Sequence, residues 1–189
     1  MIDQLLQYDT ELFLFLNGLG SETWDDFWMI YTTKFYWIPL YALLLYFIYK
    51  NSTKKVLLLT ILVAALMVSF TDQVTNLFKH GFERLRPCHE DDLNGIMRLV
   101  KSYCGGRYGF FSGHASNSMA VAVFTGLILK HKYKYLIYLL LFWAALMAFS
   151  RVYIGVHYPL DIFCGMLFGA FSGFGFYKLR FYLKKRFTF

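Results

Sequence analysis

The protein has 189 residues, of which 58% are hydrophobic and only 16% are charged, whereas an ordinary soluble domain has about 25% charged residues. This composition excludes a typical soluble protein, and the length allows a single domain that comprises residues 1–189. The net charge of +7 would permit nucleic-acid binding, but the basic residues are confined to a few segments, so we expect no nucleic-acid partner.

The N-terminal segment, residues 2–19, has the pattern of an amphipathic helix. Leucine and phenylalanine side chains are interspersed with Asp3, Gln4, Asp9 and Glu11. The segment lacks the positively charged start of a signal peptide, so we expect a helix that lies on the outer surface of a lipid bilayer. A sixth, short transmembrane helix is the alternative.

Long apolar stretches follow, and they predict an all-α fold, a polytopic membrane helical bundle with five transmembrane helices, or six if the N-terminal segment also spans. A helical span needs roughly 20 largely apolar residues, and several stretches reach this length only when their polar ends are included. Lys34 lies inside the first span, and Pro39 can kink it. The predicted spans cover residues 27–49, 56–78, 113–130, 135–153 and 159–181.

The basic residues predict the orientation of these spans. Loops rich in lysine and arginine face the cytoplasm, and five spans then place the long loop 80–111 outside. We therefore predict a multi-pass protein of the cytoplasmic (inner) membrane, with this loop on the periplasmic or exterior side. The residues that carry the argument are Lys50, Lys54, Lys55, Lys130, Lys132, Lys134, Lys178, Arg180, Lys184, Lys185 and Arg186.

Two of the three cysteines, Cys88 and Cys104, lie in the predicted outer loop, and Cys164 lies inside a span. An oxidising compartment permits a disulfide between the first two, and we expect one, with two free thiols as the alternative. Two cysteines without a nearby ligand pair do not predict a structural zinc site.

Three short polar clusters interrupt the apolar pattern, each at a predicted outer end of a span. In the last cluster, His157 and Asp161 are four positions apart, on either side of Pro159. If Pro159 begins a helix, the carboxylate can hold one imidazole nitrogen and leave the other as a nucleophile or base. Arg151 lies just before this pair and offers a planar fork of donors to phosphate oxygens. A helix cap beside an interfacial arginine is the alternative interpretation.

The middle cluster, Ser112–Gly113–His114, opens a span, where free backbone N–H groups favour an anion. Ser112 suits the N-cap position, Gly113 permits close approach, and His114 can protonate a leaving oxygen. Taken alone, a simple helix cap also explains these residues.

The first cluster consists of Lys79, which ends the second span, and Arg86 with Pro87. Asp72, Asn76 and Lys79 share one face of that helix, because they are spaced by four and then three residues. A lysine that snorkels to the interface is the alternative. Together the three clusters supply three cations, two histidines and a carboxylate, and this set predicts a site that binds a phosphate group and cleaves its ester bond.

The order and internal spacing of the clusters resemble the signature of the type 2 phosphatidic acid phosphatase superfamily. That family includes lipid phosphate phosphatases, glucose-6-phosphatase and vanadium-dependent haloperoxidases. The resemblance covers residues 79–161, with one departure, since members usually have proline where this chain has Phe111. The matching motifs are Lys79-x6-Arg86-Pro87, Ser112-Gly113-His114 and Ser150-Arg151-x5-His157-x3-Asp161.

The resemblance implies a role for each residue. His157 would attack phosphorus and form a phosphohistidine, Asp161 would orient it, and His114 would protonate the leaving group. We expect neither a metal nor another cofactor, since the three cations can neutralise the transferred group as Mg²⁺ does in kinases. The phosphoryl oxygens would be held by Lys79, Arg86, Ser112, Gly113 and Arg151.

The expected activity is that of a membrane lipid phosphatase. Candidate substrates are undecaprenyl diphosphate, which we favour, phosphatidylglycerol phosphate, phosphatidic acid and a lipid A phosphate. A lipid phosphotransferase that uses the same site is the principal alternative. The predicted membrane spans argue against a haloperoxidase activity. An inactive scaffold or a transporter would not need both histidines and the carboxylate.

Overall fold

The computed structural model describes residues 2–187, and within them the chain is helical with no β-strand. The predicted all-α class is therefore confirmed. Short 3-10 turns cover Lys34–Trp37, Pro87–His89 and Asp91–Leu93. The α-helices are α1 (Ile2–Gly18), α2 (Glu22–Thr32), α3 (Ile38–Lys50), α4 (Lys54–Phe82), α5 (Gly113–Leu129), α6 (Leu136–Tyr153) and α7 (Pro159–Arg186).

Three helices, α4, α6 and α7, are long and apolar enough to cross a membrane, and they coincide with three of the predicted spans. Helix α5 is apolar but has only 17 residues. The predicted total of five spans stays a prediction.

The first predicted span is not the single helix that the sequence suggested for 27–49. Helix α2 ends at Thr32, and α3 begins at Ile38 after a 3-10 turn. The backbone is extended at Thr33, whose hydroxyl donates a hydrogen bond to the Met29 carbonyl at 2.8 Å. Pro39 occupies the first turn of α3, where its missing N–H costs no helical hydrogen bond. The proline thus starts a new helix rather than kinking a continuous one.

Helix α1 docks against the bundle through a face on which Asp9, Phe13 and Asn17, spaced by four residues, are buried. The Asn17 amide donates to the carbonyls of Val152 and Tyr153 at 3.2 and 2.9 Å. These carbonyls belong to the last turn of α6, where the C=O groups have no N–H donor within the helix. The expected amphipathic helix is therefore also a structural part of the end of the bundle that carries the polar clusters.

Close packing of α7 on α5 determines where the second and third polar clusters lie. Gly165, Gly169 and Gly173 form a stripe along α7, and a Cβ atom added at Gly173 would lie 2.6 Å from the Ala120 carbonyl oxygen. Small residues allow such close approach in membrane bundles. The backbone N–H of Ser112, just before α5, donates to the Asp161 carbonyl at 3.0 Å. The starts of α5 and α7 are thereby held side by side.

Candidate active site

A cavity of about 650 Å³ lies among α3, α4, α5 and α6 and the loops at the end of the bundle that carries the polar clusters. Six of the eight residues predicted to bind or cleave a phosphate ester contribute to its wall. The two remaining residues, Ser112 and Asp161, are fully buried behind it. The six residues in the wall are Lys79, Arg86, Gly113, His114, Arg151 and His157.

His157 and Asp161 form the predicted pair. The His157 Nδ1 atom lies 3.3 Å from Asp161 Oδ2, and the imidazole is only 2% exposed. Burial, reinforced by the positive charges of Arg86 and Arg151, holds the pKa of His157 well below its ordinary value of 6.5. The ring is therefore neutral near pH 7. Since Nδ1 is engaged by the carboxylate, Nε2 is the nitrogen left to act as a nucleophile.

Asp161 is held in place by three donors. Its Oδ2 accepts from the Tyr158 backbone N–H at 3.1 Å as well as from His157, and its Oδ1 accepts from Arg84 Nη1 at 2.9 Å. Through the Tyr158 contact the carboxylate binds the N-cap backbone N–H at the start of α7. The carboxylate has little freedom to turn away from the histidine.

Arg84 joins Asp161 to a second buried carboxylate, Asp9 of α1. Arg84 Nη2 donates to Asp9 Oδ2 at 2.7 Å, and Asp9 Oδ1 accepts from the Leu160 N–H at 2.8 Å. Burial raises the pKa of Asp9, and the Arg84 guanidinium opposes that rise. Sequence reasoning placed neither Asp9 nor Arg84 in the site.

Arg86 is aimed by the loop that the disulfide closes. Its Nε and Nη1 donate to the carbonyls of Tyr108 and Cys104 at 3.2 and 3.3 Å. A disulfide joins Cys88 and Cys104, whose Cα atoms are 5.7 Å apart. The covalent link therefore lies next to both the cation and one of the carbonyls that orient it.

Arg151 is buried at the end of α6, with 5% of its surface exposed. Its Nη1 donates to the Thr32 hydroxyl at 2.7 Å, whereas its Nε has no hydrogen-bond partner among residues 2–187. A buried donor without a partner costs free energy, so a ligand acceptor would remove a penalty here. Thr32, at the end of α2, is a further positioning residue that the sequence did not indicate.

The start of α5 presents polar groups that its own structure does not use. Ser112 occupies the N-cap position, but its hydroxyl caps nothing and is without a partner among the described residues. A Cβ atom added at Gly113 would lie 3.9 Å from Lys79 Nζ, so the Lys79 ammonium lies beside the helix N-terminus. A cation, a free hydroxyl and helix N–H groups at one point form an anion site.

Within residues 2–187 there is no group of three or more His, Cys, Asp and Glu side chains arranged to hold a metal ion. The positive charge at the cavity comes instead from lysine and arginine. That the reaction needs no metal or other cofactor stays a prediction, which activity in the presence of a chelator will test.

A cation-lined cavity beside a buried His–Asp pair has the groups that phosphoryl transfer requires. The model of the PAP2 superfamily matches residues 58–185, so the chain belongs to that superfamily. The resemblance drawn from the three motifs is thus confirmed.

Relatives of known activity are similar along almost the whole chain. The lipid A 4'-phosphatase of Bacteroides thetaiotaomicron is 38% identical over 179 residues, which are 94% of this chain and 79% of that protein. The lipid A 4'-phosphatase of Porphyromonas gingivalis is 35% identical over 191 residues, with 98% and 78% covered. The chain is thus a membrane phosphatase that is similar to enzymes named for a lipid phosphate substrate.

The fold agrees with a solved membrane relative. The crystal structure of the PAP2-type phosphatidylglycerolphosphate phosphatase of Bacillus subtilis superimposes with a TM-score of 0.70. The match covers 93% of this chain and 86% of that one, at 21% sequence identity. The helical arrangement described above is therefore the PAP2 membrane fold.

Proposed function

We propose that the protein removes a phosphate group from a saccharide-bearing membrane lipid of the lipid A type, through a phosphohistidine on His157. The observation that carries this proposal is the convergence of His157, His114 and three cations on one cavity. Similarity to two lipid A 4'-phosphatases favours this substrate over undecaprenyl diphosphate, the substrate that we favoured from the sequence.

In the first half of the reaction, Nε2 of neutral His157 attacks phosphorus, and the bond from phosphorus to the ester oxygen breaks. His114, which lines the cavity, gives a proton to that leaving oxygen, so the dephosphorylated lipid departs as an alcohol. Asp161 stabilises the positive imidazole that forms, because its Oδ2 contacts Nδ1.

In the second half, water attacks phosphorus of the phosphohistidine. His114, now neutral, accepts a proton from that water. The P–N bond breaks, inorganic phosphate leaves, and His157 returns to its neutral state. Protons and bonds balance without any further reactant. A phosphotransferase would differ only in using another hydroxyl in place of water.

The cations and the start of α5 supply the electrostatic part of catalysis. Lys79, Arg86 and Arg151 surround the position of the phosphoryl group, and the unpartnered Ser112 hydroxyl and Arg151 Nε offer donors that the folded chain leaves unused. Donors placed in advance around developing negative charge commonly contribute the largest share of rate enhancement.

We further propose five membrane spans, with the cavity opening toward the periplasm or cell exterior. The positive-inside pattern of the lysines supports this orientation. An active site at the end of a membrane bundle suits a substrate whose phosphate lies at the bilayer surface and whose chains remain in the lipid.

The proposal is tested by phosphate release from purified protein with a chelator present. The panel consists of a lipid A preparation, undecaprenyl diphosphate, phosphatidic acid and phosphatidylglycerol phosphate. We expect the fastest release from lipid A, no release by His157→Ala, and full release by the control His131→Ala, which alters an exposed loop. Activity retained by His157→Ala, or abolished by the chelator, contradicts the mechanism, and a labelled phospholipid product in place of free phosphate indicates a transferase.

A further inference from the structure

The cavity continues past the histidines toward the middle of the bundle, where its wall is mostly apolar. Ile38, Val68, Val121 and Met147 line this part. Phe35 and Ile38 belong to the wall and are also 67% and 57% exposed, so this side of the cavity adjoins the outer surface of the bundle. A lipid body held here would have its phosphate at His157 and its chains beside α3.

Asp72 contributes a carboxylate to this wall, where Lys34, Asn117 and Ser118 are also polar. It lies on α4, ten residues before the helix ends at Phe82, and its side chain lines the cavity. The Asn117 amide donates to Asp72 Oδ1 at 2.6 Å, and the Thr71 hydroxyl bonds to the oxygen of the same amide. Asn117 is therefore oriented as a donor to the carboxylate.

Asp72 is exposed, and the side-chain hydrogen bond that it accepts from Asn117 uses Oδ1 and leaves Oδ2 open to the cavity. A carboxylate on a membrane-spanning helix is unfavourable unless it faces a partner or an aqueous cavity, and such a residue generally marks a functional site. Asp72 is seven residues from Lys79, which places it about 10 Å farther along the helix from the phosphate-binding end. It lies on the same face as Lys79, since seven residues are two turns.

We propose that Asp72, oriented by Asn117, binds a hydroxyl or amide N–H of the substrate beyond its phosphate ester and thereby selects lipid phosphates with a hydroxylated or amide-bearing headgroup. This subsite deepens the proposed function and rests on it. A sugar-based lipid phosphate offers such donors one ring away from the phosphate.

The same carboxylate disfavours a polyprenyl diphosphate. A second phosphate that extends along the cavity would approach a negative charge, and a hydrocarbon chain beside Asp72 would leave its oxygen without a donor. Asp72 is exposed in the structure, so a hydrocarbon chain that covers it strips water from the carboxylate without offering a donor in return, which costs free energy.

The test compares two substrates in Asp72→Leu and Asp72→Asn, with Gln73→Leu as the matched control on an exposed neighbouring position of α4. The substrates are a glucosamine-based lipid phosphate and undecaprenyl diphosphate, presented in the same detergent. We expect Asp72→Leu to lower kcat/KM for the glucosamine lipid by about 10- to 100-fold, the value of one hydrogen bond to a charged group. For undecaprenyl diphosphate we expect an unchanged or raised kcat/KM, and Gln73→Leu should match the wild type on both.

The ratio of the two rates separates selection from a general effect. Asp72 and Lys79 carry opposite charges on one face of α4, and a loss of their attraction would lower both rates alike. The subsite is overturned if the ratio of the two kcat/KM values in Asp72→Leu and in the conservative Asp72→Asn equals that of the wild type, whether both values fall equally or neither falls. If the wild type releases phosphate from neither lipid, the proposed function fails as well, which is a result distinct from normal activity with an unchanged ratio.

Discussion

Arg84 Nη1 donates to Asp161 Oδ1 at 2.9 Å and so fixes the carboxylate that orients His157. The other end of the same guanidinium binds Asp9 on the N-terminal helix, and its plane lies over the Tyr158 ring at 4.2 Å from the centroid. The geometry of the proposed nucleophile thus depends on a helix at the far end of the sequence.

Arg84→Ala is expected to lower kcat by about 10²-fold, the scale of a catalytic group displaced by about 1 Å. KM should change little, because Arg84 does not line the cavity that would hold the phosphate. Asp9→Asn should lower kcat by about tenfold, since it removes one charge-assisted contact to Arg84. Steady-state phosphate release with each variant provides the measurement.

The control for this pair is Asp3→Asn, an exposed acidic position on the same helix, which should behave as the wild type. Arg84→Lys should restore part of the rate, because an ammonium reaches one carboxylate but lacks the planar fork that binds two. A rise in KM with unchanged kcat would show that Arg84 binds substrate instead of positioning Asp161.

His114→Ala is expected to lower the rate on a lipid phosphate by about 10²- to 10⁴-fold, the usual contribution of a general acid. The deficit should shrink for an aryl phosphate with a strongly electron-withdrawing substituent, because that leaving group departs without a proton. Comparison of the two substrates in wild type and variant measures the effect. An equal deficit on both would contradict the role of acid toward the leaving group.

Local patterns predicted the parts of the site whose residues are near one another in sequence. His157 and Asp161 are four positions apart, and Ser112, Gly113 and His114 are consecutive. Their possible chemistry can therefore be recognised from the sequence alone. The contacts from Arg84 to Asp9 and from Arg151 to Thr32 join residues 75 and 119 positions apart. Asp9 looks like one more polar residue on an amphipathic helix, and only the docking of α1 brings it to Arg84.

The helical spans show the same limit. Apolar stretches located α4, α6 and α7 within a few residues, because burial in lipid demands a long run of hydrophobic side chains. The break at Thr33 was missed, since apolar residues resume directly after the short polar stretch at residues 32–34 and extend the run to the length of one span. Tertiary contacts such as the bond from Tyr31 Oη to the Trp143 carbonyl fix this segment, and hydropathy does not report them.

Gly109 is expected to be intolerant of a side chain. A Cβ atom there would lie 3.0 Å from Asp161 Oδ2 and 3.2 Å from Arg86 Cγ, so Gly109→Ala must shift one of them. We expect a loss in kcat of about 10²-fold, measured by phosphate release. Gly106→Ala is the matched control in the same loop, because its added Cβ has only an ordinary contact at 3.9 Å with Arg86.

Reduction of the Cys88–Cys104 disulfide is expected to raise KM more than it lowers kcat. The link closes 16 residues of the loop that orients Arg86, and Arg86 lies in the cavity wall but does not contact Asp161. Its removal should also cost about 3 kcal/mol of stability, the usual value for a loop of this size. Steady-state kinetics of the double variant Cys88→Ser/Cys104→Ser test the change in KM, and its thermal unfolding tests the loss of stability.

The control for the disulfide is Cys164→Ser, which removes the remaining cysteine and should leave KM unchanged. Wild type treated with a reductant should behave as the double variant, and Cys164→Ser in oxidant should behave as the wild type. Identical KM values in oxidised and reduced protein would mean that the loop holds Arg86 without the covalent link.

The orientation of the bundle decides which lipids can reach the cavity, and two exposed positions report it. Asn94 lies in the loop that carries the disulfide, at the cavity end of the bundle, and Lys132 lies beyond the opposite end of α5, about 25 Å away along 17 residues of helix. In a Cys164→Ser background, a membrane-impermeant maleimide added to intact cells should label Asn94→Cys and spare Lys132→Cys. Disruption of the membrane should expose Lys132→Cys to the same reagent. Labelling of Lys132→Cys alone in intact cells would place the cavity on the cytoplasmic side, and the substrate would then be a lipid of the inner leaflet.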